Sequence, residues 1–192
     1  MAITANETLD AKGLACPMPM VKTKKAIVNL EPGQVMEVQA TDKGSTADIK
    51  AWAESTGHQY IGTTEEDDGV LKHYLRKASD DEAKDETNYE DVIDLETLRQ
   101  KIDGQEAITI LDVREEAEYA FDHIPGAINI PLGELDDRMD EINDDNEINV
   151  ICRTGSRSDL ASQKLSDKGF KNVKNVVPGM SDWDGPSENS ND

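Results

Sequence analysis

Ile148-Asn-Val-Ile-Cys-Arg-Thr-Gly-Ser-Arg-Ser158 is a short apolar run that ends in a cysteine and opens into a small cationic loop. The run reads as a strand buried on both faces, the pattern of parallel sheets. Beyond the loop, Leu160, Ala161 and Leu165 fall at helical spacing and Gly169 closes the helix. Cys152 therefore starts a strand-to-helix loop, and parallel sheets bind ligands at the carboxyl ends of their strands. Gly155 permits a tight turn whose N–H groups point inward as a nest. Ser156 or Ser158 is expected to cap the helix, whose N-terminus adds partial positive charge. Arg153 and Arg157 add two full charges. These surroundings favour a thiolate at Cys152, and a persulfide or a small oxyanion would fit the same cradle.

The neighbouring sequence repeats the alternation. Ala107-Ile-Thr-Ile-Leu111 reads as another buried strand and Val173–Val177 as a third, while Leu132, Leu135, Met139 and Ile142 mark an amphipathic helix. Strands alternating with helices predict an α/β domain over 92–186, with a mostly parallel sheet and flanking helices. Ahead of it, residues 78–91 hold seven acidic side chains, one lysine and almost nothing apolar. Such a segment buries too little surface to order itself and is expected to be an acidic linker. Residues 187–192 are expected to be a frayed polar tail.

The first 77 residues carry a different pattern, predicted as strand, helix, strand, helix, strand, strand. A helix over roughly 17–30 places Met20, Val21, Ile27, Val28 and Leu30 on one face. Val35–Ala40 is a strand, and Ser45 opens a second helix with Asp48 completing a weak capping box. Ile49, Trp52 and Ala53 form its inner face and Gly57 ends it. Strands near 59–63 and 70–76 follow, joined by Asp67-Asp-Gly69 as a hairpin turn. Helices on one sheet face make a two-layer α/β sandwich.

Here the second cysteine stands in Cys16-Pro-Met-Pro19. Proline is tolerated at the first helical position, so Pro17 is expected to place Cys16 at the N-cap, its sulfur beside the positive end of the helix dipole. Lys22, Lys24 and Lys25 add positive charge that could attract a partner protein.

Composition removes whole classes of function. The chain has 41 acidic and 20 basic side chains, a net charge of −21. Residues 1–77 carry 11 acidic and 9 basic groups and the remainder 30 and 11, so the second half alone holds −19. Direct binding to nucleic acid or to an anionic membrane is not expected, because phosphate contacts come from Lys and Arg. The charge serves solubility, or recognition of a basic partner. Two distant cysteines do not make a disulfide framework. His58, His73 and His123 lack ligand spacing, so no metal is expected. No phosphate-binding loop, dinucleotide fingerprint or nucleophile elbow occurs, and no cofactor is expected. The polar first ten residues do not resemble a signal peptide, and no apolar run nears the roughly 20 residues of a membrane span. A soluble, cytoplasmic protein is expected.

Residues 92–186 resemble a single rhodanese domain. The resemblance rests on Leu111-Asp-Val-Arg114 with Glu115-Glu-Ala-Glu118, His123-Ile-Pro-Gly-Ala-Ile-Asn-Ile130, the loop Cys152-Arg-Thr-Gly-Ser-Arg157, and Pro178-Gly-Met180 with Trp183. It departs at Asp122 and Pro178, where the family pattern has glycine. By that resemblance Cys152 forms the persulfide, and Arg153, Thr154, Gly155, Ser156 and Arg157 bind the sulfur donor. Asp112 and Arg114 are structural, Arg114 pairing with an acidic neighbour such as Glu118, and His123 and Trp183 are packing residues. Phosphatases of the same fold place an arginine six positions after the cysteine; Ser158 stands there, which disfavours phosphatase chemistry. Residues 7–77 resemble the TusA/SirA sulfur carriers through Cys16-Pro-Met-Pro19, Lys22-Thr-Lys-Lys-Ala26, Thr41-Asp42, Asp48-Ile49 and Gly57-His58. By resemblance Cys16 carries sulfur as a persulfide to an acceptor protein, with Pro17 and Pro19 positioning it, and His58 is structural. The expected function is a sulfurtransferase relay between Cys152 and Cys16. It is fed by thiosulfate, a small persulfide or a persulfidated protein, and its direction is open. A thiol redox module or a non-catalytic adaptor of sulfur metabolism is the alternative.

Overall fold

The structure is a computed structural model that describes residues 3–78 and 89–190. The described chain forms two compact units, one on each side of residues 79–88.

In the first unit, strands β1 (Glu7–Ala11), β2 (Val35–Ala40), β3 (Gln59–Glu65) and β4 (Leu71–Arg76) make a sheet in the order β1-β2-β4-β3. The β1–β2 pair is parallel and the others are antiparallel. Helices α1 (Met18–Ala26) and α2 (Ser45–Thr56) cover one face. Met36, Val38 and Leu75 of the sheet pack with Ile49 and Ala53 of α2 and with Ile27 and Leu30 after α1. The sandwich is as predicted, with two local corrections. The helix through Cys16's segment shortens at Ala26 into a 3-10 turn, Ile27–Asn29. Three residues per turn swing Val28 outward, to 71% exposure, and the buried stripe is Pro19, Thr23, Ile27 and Leu30. The expected Ser45–Asp48 capping box is absent: Gly44 is the N-cap and no side chain caps the helix. Gly57 closes α2 as predicted, at φ 82°.

The second unit is a five-stranded sheet, β5 (Val92–Asp94), β6 (Ile108–Asp112), β7 (Ile128–Asn129), β8 (Glu147–Ile151) and β9 (Val173–Val177), in the order β5-β9-β8-β6-β7. Every pairing is parallel. Helices α3 (Leu95–Asp103), α4 (Glu116–Phe121), α5 (Leu135–Arg138) and α6 (Ser156–Asp167) complete it. Two apolar clusters lie on its opposite faces. Ile148 and Val150 of β8 join Ala161 and Leu165 of α6 in one, and Ile151 joins Leu98 of α3 and Val176 in the other. The central strand β8 is thus buried on both sides, Asn149 included.

Three expectations need correction. The amphipathic helix over 132–142 is a 3-10 turn, the single α turn of α5 and a second 3-10 turn, although Leu132, Leu135, Met139 and Ile142 do face the core. The acidic linker ends earlier than expected. Its residues 79–88 lie outside the described ones, but the Tyr89 N–H donates to Asp159 on α6 (3.0 Å) and the Tyr89 hydroxyl to the Val173 carbonyl (2.9 Å). The tail is not frayed through Ser190: Glu188 and His123 exchange backbone hydrogen bonds of 2.9 Å, and the Ser190 N–H reaches the Ala120 carbonyl.

Candidate functional site

Strand β8 delivers Cys152 to the carboxyl edge of the sheet, and α6 begins four residues later. Gly155 is the N-cap, at φ 99°, a conformation costly for any residue with a Cβ. That turn aims the Gly155 N–H at the Cys152 sulfur, 3.1 Å away. The Ser158 hydroxyl lies 3.3 Å from the same sulfur and 3.1 Å from the Gly155 carbonyl, so one rotation moves its proton between them. Neither serine caps α6; Ser158 instead lies beneath the sulfur. The thiol is 1% exposed, while the Arg153 and Thr154 side chains face solvent at the mouth of the loop. A sulfur that gains negative charge, or a persulfide built on it, meets an N–H and a hydroxyl at a helix N-terminus.

The structure separates the two loop arginines. Arg157 turns away from the mouth, and its two terminal nitrogens contact both oxygens of Glu118 at 2.7 and 2.9 Å. Both residues are buried, so this cation is spent on an internal partner and not presented to a donor. Arg153 supplies the loop's exposed charge. Glu118 also accepts the Glu115 N–H, forming the reciprocal cap of α4. Arg114 consequently does not pair with Glu118 as expected: its guanidinium grips Asp112 at 2.7–3.1 Å and donates to the Asp122 carbonyl. Asp112, fully buried at the end of β6, also accepts the Arg114 N–H. These bonds tie the end of β6 to the end of α4. His123 stacks on Tyr119 with ring centroids 3.7 Å apart, and Trp183 packs on the core.

The segment after β9 braces the loop. The Met180 N–H donates to the Cys152 carbonyl (2.8 Å) and the Ser181 N–H to the Arg153 carbonyl (3.0 Å). Gly179 makes this approach possible. At φ 119°, a Cβ there would lie 2.5 Å from the Cys152 oxygen and 2.7 Å from that of Arg153.

Around Cys16 the expectation of a helix-cap thiolate fails. The helix starts at Met18 with Pro17 as N-cap, which puts Cys16 one residue further out, while Pro19 is the buried proline of the first turn. The Cys16 thiol is exposed and donates to Asp48 Oδ2 at 2.6 Å, and the Cys16 N–H donates to Asp42 Oδ2 at 2.9 Å. The hydrogen bond to Asp48, and the negative charges of Asp48 and Asp42, push the thiol's pKa up from its ordinary value. Lys22 is directed to the Asp10 carbonyl at 3.4 Å, and Lys24 and Lys25 lie exposed in the last turn of α1.

Sequence reasoning missed Asp48 as Cys16's partner and Glu118 as Arg157's. It also missed His73, fully buried on β4 between the Ser45 hydroxyl (3.0 Å) and those of Tyr60 and Thr63. Burial lowers the pKa of His73 to about 4. Among the described residues no helix is long and apolar enough to cross a membrane, and no cluster of three or more His, Cys, Asp or Glu could hold a metal.

One unit is a parallel sheet that ends in a cysteine cradle, and the other is a small sandwich that displays an exposed cysteine. Family profiles cover both: residues 7–77 match Sulfurtransferase TusA and residues 94–185 the Rhodanese-like domain. The chain is 52% identical over 184 residues to YrkF of Bacillus subtilis (strain 168), whose name assigns it to the sulfur carriers; the match spans 96% of this chain and 98% of that one. The chain belongs to this family of sulfur carriers and sulfurtransferases that join a TusA domain to a rhodanese-like domain. Its first unit is also 42% identical over 74 residues to the sulfur carrier protein TusA of Allochromatium vinosum, covering 38% of this chain and 95% of that one. Its second unit is similar to the crystal structure of a rhodanese-like domain protein from Staphylococcus aureus, at 28% identity and a TM-score of 0.50, over 53% of this chain and 99% of that one.

Proposed function

We propose that the protein relays sulfane sulfur from a donor to Cys152, from Cys152 to Cys16, and from Cys16 to an acceptor protein. The observation that carries this reading is the Gly155 N–H aimed at the Cys152 sulfur at the start of α6. The Cys152 thiolate attacks the outer sulfur of the donor. With thiosulfate the S–S bond breaks and sulfite leaves with the bonding pair; with a persulfide a thiolate leaves. The outer sulfur of the Cys152 persulfide then stands among the loop N–H groups and the Ser158 hydroxyl, with Arg153 at the mouth. Thr154, Gly155 and Ser156 contribute backbone to this cradle. Arg157 holds its geometry through Glu118.

The buried Cys152 and the exposed Cys16 suit different roles. A sheltered sulfur keeps its load from water and stray thiols, whereas an exposed one can meet a large acceptor. That difference supports the order Cys152 to Cys16. Intact-mass measurement tests it. Wild type, Cys16→Ser and Cys152→Ser are incubated with thiosulfate, and each cysteine is examined for one added sulfur atom. The relay expects Cys16→Ser to hold sulfur on Cys152 and Cys152→Ser to hold none. Loading of Cys16 by thiosulfate in the Cys152→Ser chain refutes the order.

A further inference from the structure

We propose that the Asp48 carboxylate is the catalytic proton acceptor and donor for Cys16, taking the thiol proton as sulfur arrives and returning it as sulfur departs. This deepens the carrier reading and rests on it. The geometry is direct. Asp48 Oδ2 lies 2.6 Å from the Cys16 sulfur, a short hydrogen bond with the thiol as donor. The contact is built by two elements far apart in sequence: Asp48 is in the first turn of α2 and Cys16 precedes α1. The cysteine's other polar group is fixed as well, since its N–H is bound by Asp42. Asp42 is itself pinned through the Gly44 N–H (3.2 Å) on its second oxygen and the Ser45 hydroxyl (2.5 Å) on its carbonyl. Ser45 is in turn held by buried His73. Asp48 is thus the one member of this acidic pair whose carboxylate meets the sulfur.

The charged groups facing the thiol on this side are Asp48 from α2 and Asp42 from the loop before it, and both oppose ionisation. On the β1 side, Lys12 pairs with Asp10 and Lys22 turns to the Asp10 carbonyl. The resting carrier is consequently a protonated thiol at an exposed site, slow to react with electrophiles that offer no route for its proton. A donor persulfide changes this. As the Cys16 sulfur attacks the donor's outer sulfur, the S–H bond breaks and the proton passes to Asp48 Oδ2. The new S–S bond forms at Cys16, and the donor's own S–S bond breaks, its inner sulfur leaving as a thiolate. The proton on Asp48 then passes to the transferred sulfur, now the outer sulfur at Cys16, and the donor departs as the thiolate. Counted over the whole step, a thiol and a persulfide anion become a persulfide and a thiolate, with no outside oxidant or reductant. Delivery reverses the path. The acceptor's thiol gives its proton to Asp48 and attacks the outer sulfur, and Asp48 protonates the Cys16 sulfur as it leaves.

The test uses the full chain carrying Cys152→Ser, so that Cys16 is the one thiol. It compares Asp48, Asp48→Asn and Asp48→Ala. Iodoacetamide measures the intrinsic nucleophile, and glutathione persulfide measures sulfur uptake by intact mass. A general acid–base group contributes about 10²–10⁴-fold. Asp48→Asn is expected to alkylate faster at pH 7.5, with its pH midpoint moved down, yet to take up sulfur about 10²-fold more slowly. A structural role would move both rates together. Asp48→Ala is expected to be equally slow in sulfur uptake and to regain rate with added formate. Unchanged alkylation in Asp48→Asn, parallel changes in both rates, or no effect of formate overturns the proton role while leaving the carrier reading in place. If the parent chain gains no sulfur from glutathione persulfide, the proton role in uptake from a small persulfide is overturned, and loading of Cys16 in the wild-type chain decides the carrier reading separately.

Discussion

Replacing Glu118 by glutamine removes a negative charge and little volume from a buried pair. In the native fold both Glu118 oxygens face the two terminal nitrogens of Arg157 at 2.7–2.9 Å, with each residue no more than 5% exposed. The variant breaks a buried ion pair by neutralising one partner, which typically costs about 3–5 kcal/mol. A urea slope near ~2 kcal/mol/M for a domain of this size turns ~4 kcal/mol into a midpoint lower by ~2 M. Trp183 reports the second unit, and a Trp52→Phe background removes the fluorescence of the first. Because a buried pair stabilises less than its breakage suggests, Glu118→Leu with Arg157→Met is expected to regain most of the loss. A midpoint shift of Glu118→Gln below ~0.5 M, about the ~1 kcal/mol of an exposed ion pair, would refute the assignment of Arg157 as an internal cation. Arg157 would then be available to bind a donor, as the sequence alone suggested.

Arg153→Ala is expected to raise the KM for thiosulfate about tenfold, the worth of one charge-assisted contact of ~1.4 kcal/mol, without altering the urea midpoint; an unchanged KM would exclude Arg153 from the mouth. Gly179→Ala is expected to abolish sulfur loading of Cys152, because a Cβ there overlaps two carbonyls of the loop, while Cys16 still accepts sulfur from a small persulfide; full Cys152 loading would contradict the contact. Stability of the first unit is expected to fall with pH between 6.5 and 4. His73 is neutral and buried when folded, with a pKa of about 4, but takes up a proton near 6.5 when unfolded. The unfolded chain binds more protons across that window, so stability present above it declines by up to about 3 kcal/mol as pH falls. Urea midpoints across pH 4–7 check this, and a slope as steep in His73→Gln would assign the loss to other groups. Thiosulfate turnover is expected to improve with added salt, since the second half's −19 repels the anion; a monotonic decline would oppose that.

What the sequence made visible was local. The run Ile148–Ile151, the cysteine loop and Gly155 occupy consecutive positions, so strand, turn and helix are written next to one another. The same holds for Gly57 and the hairpin at Gly69. What escaped depended on partners far along the chain. Asp48 is 32 residues from Cys16, and Glu118 is 39 from Arg157; neither distance leaves a periodic trace. Proline chemistry alone favoured an ionised Cys16 at a helix end. The fold brings a carboxylate against it and reverses the sign. Strands β5 and β7, with three and two residues, are too short to show alternation. The helix over 132–142 had the right apolar spacing but breaks into 3-10 turns, which keep roughly the same residues inward at that length.

The brace at Gly179 divides the mouth of the Cys152 loop into what can vary and what cannot. Its main chain is locked from behind by two carbonyl contacts and from below by Gly155, whereas the side chains of Arg153 and Thr154 stand free. If the loop takes a sulfur donor as proposed, substitutions at these two adjacent positions are expected to change its preference on an unchanged frame, the way a key blank is recut while its shank stays the same.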